Sequence, residues 1–469
     1  MLTRLEVDGF KNLAGFSVEF GPFTCIAGAN GVGKSNVFDA IQFLSLLSDR
    51  PLMDAAEAVR TTRDERMGDP RDLLWSGSQD GIMRFAAEMI VPPEVEDDFG
   101  QLTKPSISFL RYELEIGFAP PGAVDRRGRL VLLGESLVHI KLRDAPAHLR
   151  FSHSAKDFRQ HVVFGRRSGV AFISTTGQGS DRVITVHQDG GSRGQPRRAS
   201  AMRAPATVVS TITVADDPTV LAARREMQSW SRLSLEPSAL RTADRYSDPR
   251  IMAVDGSHLP AALHRIASTT NGHGVTSEDV YARVASRLAE LTGLSVRAIH
   301  VDADDTRELF TVRLTERSGA DIPARSLSEG TLRFLALCVL LEDVAGSDVI
   351  CMEEPENGIH PANVPAMLKL LQDLAVDPMS PPGEDNPVRQ VIVNTHSPVV
   401  VQVVSPGDLL FATTRAVTSG ESSHDVLDLR PLRDTWRTRG KPDAMPIGKA
   451  DLLPYLTTPA EHQISLLNS

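Results

Sequence analysis

Cysteine is scarce in this sequence, with three thiols, Cys25, Cys338 and Cys351, among 469 residues. Each sits inside an apolar run and no C-x-x-C pair or cysteine–histidine cluster exists, so buried reduced thiols are expected rather than a metal site. Long apolar runs are missing too. None approaches the roughly 20 residues of a membrane helix, and Met1-Leu2-Thr3-Arg4 has no layout of a secretory leader. A cytoplasmic protein with no membrane partner is expected. Positive charge is in deficit: 50 Lys and Arg against 60 Asp and Glu leave a net charge of −10. That argues against a whole-surface grip on nucleic acid and leaves room only for a local basic groove. There is no internal repeat, and no segment sustains three heptads, so no long coiled-coil arm is expected. What remains is ordinary for a globular chain, 41% hydrophobic and 23% charged, with length for about two to four domains.

The chain is organised around Gly28-Ala29-Asn30-Gly31-Val32-Gly33-Lys34-Ser35, which fits the phosphate-cradling pattern G-x-x-x-x-G-K-[ST]. The setting suits it. Residues 23–27 are a short apolar run that reads as a strand. Val37, Phe38, Ile41, Leu44 and Leu47 then recur at helical spacing. Strand, glycine turn and helix start point successive backbone N–H groups at one anion. Gly28, Asn30, Gly31, Gly33, Lys34, Ser35 and Asn36 are the expected phosphate contacts. Lys34 would reach the β- and γ-phosphates, and the Ser35 hydroxyl would bind Mg²⁺. A chance glycine turn is the alternative for the loop taken alone.

Before the loop, residues 2–7 and 16–20 alternate as strands around a turn at Gly9-Phe10-Lys11-Asn12. After it, residues 49–81 are polar, with a helix expected over 55–64. Strands over 82–91, 106–118 and 129–142 read as an antiparallel sheet with Arg126-Arg127-Gly128 in one turn. Residues 170–174 and 182–187 read as a further hairpin. Residues 190–203 form the most loop-like stretch, carrying Arg193, Arg197, Arg198 and Arg203 without an acid. A solvated surface loop is the plain reading and a phosphate-contacting nucleic-acid loop the sharper one. No aromatic residue is interleaved, so base stacking is unsupported. Helices are expected over 220–232 and 277–291, the second opened by Thr276-Ser277 and closed by Gly293. Residues 294–301 and 308–315 read as strands.

Four C-terminal stretches carry the remaining chemistry. Leu327-Ser328-Glu329-Gly330-Thr331 precedes a strongly apolar helix, with Ser328 a good N-cap. Val349-Ile350-Cys351-Met352 is a buried-type strand ending in Glu353 and Glu354. Beside a phosphate loop the first carboxylate can hold the Mg²⁺ hydration shell, and the second can orient and activate an attacking water. A turn, Pro355-Glu356-Asn357-Gly358-Ile359-His360, leads into another helix. A last apolar strand, residues 391–393, ends in Asn394-Thr395-His396-Ser397-Pro398, where His396 could sense the γ-phosphate or polarise the water.

In this order the pieces resemble the ABC-type ATPase heads of the RecF, OLD and SMC-like proteins. They are most similar to compact ATPases carrying LS-[DE]-GT, EEPE-N-G-[IL]-HP and THSP. Residues 235–241 and 255–259 also look like that group's middle segments, whereas residues 145–215 and 415–469 match weakly. The usual LSGGQ signature is LSEGT here, and the first carboxylate of the strand is Glu353 rather than Asp. The group's Q-loop glutamine has no clear counterpart. No E-G…D-x-D pattern follows His396, so no nuclease is expected in this chain.

The resemblance implies an α/β P-loop NTPase of ABC-ATPase type, with a mixed sheet core, an antiparallel β subdomain and an inserted helical/β lobe. It divides the chain into 1–145 and 321–415 as the two parts of the ATPase domain, 146–320 as the insertion and 416–469 as an extension. It also implies ATP and Mg²⁺ as ligands, with Ser35 and Glu353 on the metal. Lys34, Glu354 and His396 would be the catalytic groups. Ser328, Glu329, Gly330 and Thr331 would act in trans on the nucleotide of another subunit. The protein would then be a homodimer or higher oligomer glued by ATP. The leading expectation is an ATP-hydrolysing dimerisation switch in DNA maintenance or anti-phage defence, with double-stranded DNA a candidate partner. The alternative is an ATP-dependent scaffold holding an effector protein such as a nuclease or toxin.

Overall fold

The computed structural model describes residues 1–59, 69–121, 128–167, 171–189, 197–269, 276–344, 348–439, 445–452 and 455–456. Two sheets dominate. The first has six strands in the order Trp230–Leu233, Val349–Glu353, Gln390–Thr395, Phe23–Ala27, Leu409–Ser419 and Ser422–Pro431. The first five are parallel and the last turns back as a hairpin. Parallel strands are buried on both faces, which is why they read as unbroken apolar runs. Ile26, Val349, Cys351, Ile392 and Leu410 enter one core. Cys25, Ala27, Ile350, Met352, Val391 and Val393 enter a second, with the helices Leu259–Ser268, Ser277–Thr292, Glu329–Glu342 and Val364–Leu374. All three thiols are free and buried.

The other sheet is antiparallel and has eight strands, in the order Arg197–Ser200, Val183–Val186, Ile173–Thr176, Arg129–His139, Phe109–Ala119, Ile82–Ile90, Leu2–Asp8 and Phe16–Glu19. Its inner face shares the first core with the helix Lys34–Leu47, whose Val37, Phe38, Ile41, Leu44 and Leu47 are all buried. That helix is thus sandwiched between the two sheets, and the glycine turn before it is fixed from both sides. The helix Ser277–Thr292 starts on a capping box between Thr276 and Asp279 and stops at Gly293 in the left-handed region.

Three expectations are corrected. The helix expected over 220–232 is Pro218–Gln228, and Trp230–Leu233 is a strand. Its residues continue the helical spacing, but the parallel sheet offers an open ladder beside Val349–Glu353 and the backbone takes it. The basic stretch is not all loop: Arg197–Ser200 is the edge strand of the antiparallel sheet and Ala201–Arg203 a single tight turn. The helix expected over 55–64 runs Leu52–Ala58 among the described residues. Its later part lies outside them, as do Arg126, Arg127, Val170 and Arg193.

Candidate functional site

Register brings the site together. Glu353 is level with Asn394, Asn394 with Ile26, and Thr395 with Ala27. The next residues along the three strands, Glu354, His396 and Gly28, therefore leave the sheet at the same carboxyl end. Ligands of parallel α/β sheets bind outside such ends.

Gly31 and Gly33 have φ of 83° and 98°, and a Cβ at Gly33 would lie 2.2 Å from the Asn12 amide nitrogen. Asn12, in the turn after the first strand, donates to Val32 O at 3.0 Å and accepts from Asn36 at 2.7 Å. The loop is thus stitched shut by a residue from the turn after the first strand. Gly33 gives the helix Lys34–Leu47 no side-chain cap, so its first N–H groups stay available to an anion. Lys34 is buried and donates to the carbonyls of Gly28 and Ala29, both at 2.8 Å. Burial lowers its pKa, and the charges of Glu354, Glu353 and Glu356 work the other way. Those three carboxylates are therefore near enough to act on the ammonium.

Glu354 adopts a left-handed backbone, φ 45°, which is rare for a side chain of its size. Its N–H donates to the backbone oxygen of Asn394 at 3.0 Å and its side-chain oxygen at 3.2 Å, and that grip holds the strained turn. Its Oε1 lies 2.6 Å from His396 Nδ1, and its Oε2 accepts from Asn357 at 3.0 Å. The histidine contact is an ion-pair distance without hydrogen-bond alignment, since Nδ1 has no bonded partner. Glu356 points inward. Thr395 donates to its Oε1, its Oε2 is buried without a partner, and burial raises its pKa.

Glu353 tests the fit to a divalent cation. Its Oε1 is 3.1 Å from Arg232 Nη2, yet it is buried with no hydrogen bond. A partly exposed carboxylate at the end of a strand that lies in the same sheet as the one leading into the phosphate loop suits a hard cation or its bound water. Another three-ligand group among the described residues, Asp244, Asp248 and His258, is already satisfied. Asp244 takes His258 Nδ1 at 3.2 Å and the Ala261 N–H at 2.9 Å, and Asp248 takes the Arg245 N–H at 2.7 Å.

Ser328 caps the helix Glu329–Glu342, accepting from the Thr331 N–H at 3.2 Å, and both Ser328 and Glu329 are exposed. A Cβ at Gly330 would sit 3.2 Å from Gly358 O, so the LSEGT turn rests on the turn that follows Glu354. The described arginines of the basic stretch, Arg197, Arg198 and Arg203, stand elsewhere. Arg197 is ion-paired to Asp217. Arg198 and Arg203 border a trough of about 380 Å³ whose walls include Ile184, Val186, Val208 and Ile212.

Arg232, Asp39, Lys11 and Asn12 are the site residues that sequence reasoning missed. Asp39 left a signal: a charge between Phe38 and Ala40 on the apolar face of a helix needs a buried partner.

Two family models match the chain. One, described as "AAA domain, putative AbiEii toxin, Type IV TA system", spans residues 219–402. The other, described as "AAA domain", spans residues 4–59. The chain is 36% identical over 81 residues to the chromosome partition protein Smc of Halothermothrix orenii, a stretch of 17% of this chain and 6% of that protein. It therefore spans a small fraction of that relative's length. Similar solved structures include the SMC head domain from Thermotoga maritima, at 14% identity and a TM-score of 0.37, covering 92% of this chain and 98% of that one. A second is an Smc head bound to the C-winged helix domain of ScpA, at 14% and 0.44, covering 91% and 98%. A third is the Pyrococcus furiosus-derived Smc head with an extended coiled coil bound to the C-terminal domain of ScpA, at 12% and 0.42, covering 91% and 96%. No helix among the described residues is long and apolar enough to cross a membrane.

Proposed function

We propose that this chain, an ABC-type ATPase head of the SMC/RecF class, is a Mg²⁺-dependent ATP hydrolase whose bound nucleotide gates its dimerisation. The observation that carries the reading is the Glu354–His396 pair at the carboxyl end of the parallel sheet, level with the phosphate loop. The backbone of residues 28–36 cradles the phosphates, and Lys34 exchanges the carbonyls of Gly28 and Ala29 for the β- and γ-phosphate oxygens. Ser35 and Glu353 would hold the cation, which would supply charge neutralisation at those phosphates. Glu354 aligns a water for in-line attack on the γ-phosphorus and takes its proton. His396 orients that carboxylate and contacts the γ-phosphate. Ser328, Glu329, Gly330 and Thr331 face the nucleotide of the opposing subunit, a role that the exposure of Ser328 and Glu329 supports.

The test is steady-state ATP turnover with solution mass, for wild type and Glu354→Gln, with and without double-stranded DNA. Turnover should fall at least about 100-fold in the variant, with nucleotide binding retained and a dimer persisting in ATP. Undiminished turnover in Glu354→Gln would overturn the assignment. DNA-stimulated turnover would place the switch in DNA maintenance or defence.

A second reading, a scaffold for a partner protein, is favoured by the basic stretch itself. Arg197 is already neutralised by Asp217, and Arg198 and Arg203 flank an apolar trough beside a sheet edge. An edge strand with such a trough suits an added peptide strand better than a phosphate backbone. DNA-indifferent turnover with a stable higher oligomer would support it.

A further inference from the structure

Ser35 and Glu353 come from different elements, the helix Lys34–Leu47 and the strand Val349–Glu353, and a polar tie runs between the two. The tie comes from a third element. Arg232, on the edge strand Trp230–Leu233, places Nη2 3.1 Å from Glu353 Oε1 and Nη1 3.1 Å from Asp39 Oδ1. Asp39 is fully buried and also takes the Lys11 ammonium, at 2.7 Å. Two cations and two carboxylates thus alternate across four segments of chain, Lys11, Asp39, Arg232 and Glu353. Asp39 lies four residues after Ser35 on the same helix, so both occupy one face.

We infer that Arg232 is a positioning residue for the cation site, bracing the Glu353 carboxylate against the helix face that presents Ser35. The inference rests on the ATPase reading and names a part it lacks. A guanidinium suits the task because its planar fork reaches two carboxylates at once with separate nitrogens, which a single ammonium cannot do. The brace engages Glu353 through Oε1 and leaves the side chain 29% exposed, so the carboxylate is oriented and still accessible. Partners of metal ligands that fix orientation in this way typically change metal affinity about 10–100-fold when lost.

The test uses a fluorescent ATP analogue bound to the full chain, first in EDTA and then titrated with Mg²⁺, alongside thermal melting. Arg232→Ala should leave affinity in EDTA within about twofold of wild type and raise the half-saturating Mg²⁺ about tenfold. Arg232→Lys, which keeps the charge and protects folding, should raise it about threefold. Asp39→Asn should shift it in the same direction and add little on top of Arg232→Ala. A lowered melting temperature with unshifted Mg²⁺ dependence would make the network merely structural and overturn the inference. So would a shift to lower Mg²⁺, which would mean that Arg232 competes with the cation. If wild type shows no Mg²⁺-dependent nucleotide binding, the ATPase reading fails and takes the brace with it. An unshifted variant beside a responsive wild type refutes the brace alone.

Discussion

The outer face of the antiparallel sheet and the carboxyl end of the parallel sheet both gather charge, and they leave it in opposite conditions. The first has a cleft of about 820 Å³ lined by Glu6, Asp8, Arg84, Arg111, Glu113 and Glu115. Its charges are paired in place: Arg111 meets Glu6, Glu88 and Glu113, and Arg84 meets Asp8, Asp80 and Glu115. The second leaves Glu356 Oε2 buried without a partner, and holds Glu353 Oε1 and His396 Nδ1 in ion pairs without hydrogen bonds. Such atoms cost stability unless a ligand completes them. A roomy cleft of satisfied charges is a surface. A tight corner of unsatisfied ones points to a ligand.

The largest effect expected from that contrast is at Lys34. Lys34→Ala and Ser328→Arg should each reduce turnover at least about 100-fold. Mixed in equal amounts, they should regain roughly a quarter of wild-type sites if, as proposed, heterodimers rebuild one intact site from two chains. No recovery on mixing would mean that each chain completes its own site.

A smaller effect belongs to the antiparallel half. Glu135 is fully buried there and accepts the N–H groups of Val208 and Val209, at 2.6 and 2.8 Å, and the Tyr112 hydroxyl at 3.1 Å. Burial pushes its pKa from 4.5 up to about 7. The folded state thus holds a proton that the unfolded chain releases. The resulting stabilisation is complete below pH 4.5 and is lost as pH rises through about 7. Relative to Glu135→Gln, wild type should lose on the order of 1–3 kcal/mol across that window. Thermal melting of both proteins at pH 4.5 to 8 measures it, and parallel pH profiles would refute the assignment.

The smallest effect is expected on the outer face. Arg84→Ala breaks three partly exposed pairs and should cost under about 1 kcal/mol by melting. Turnover should stay within about twofold of wild type, and a larger loss would erase the distinction between the two regions.

The same contrast explains what could be read from the chain. The phosphate loop, the capped turn at Ser328 and the strand ending in Glu353 and Glu354 are local patterns, and they sit where their own residues dictate. Trp230–Leu233 is not local: the preceding helical spacing runs straight through it, and only the ladder offered by Val349–Glu353, over a hundred residues away, makes it a strand. With the strand unseen, Arg232 had no visible partner. Arg197–Ser200 was hidden for the same reason, because its polar composition says loop and its pairing with Val183–Val186 says otherwise. Sequence shows which groups can do chemistry more readily than which groups hold them.

The left-handed turn at Glu354 has a consequence for how this chain can change. Glycine would relax that backbone at once, and it would also remove the carboxylate proposed to align the water. Selection for durability and selection for turnover therefore pull this codon in opposite directions. On the proposed function, a lineage that no longer needed hydrolysis would be free to release the tension, and loss of the acid at 354 with the fold intact would mark the descendant that had done so.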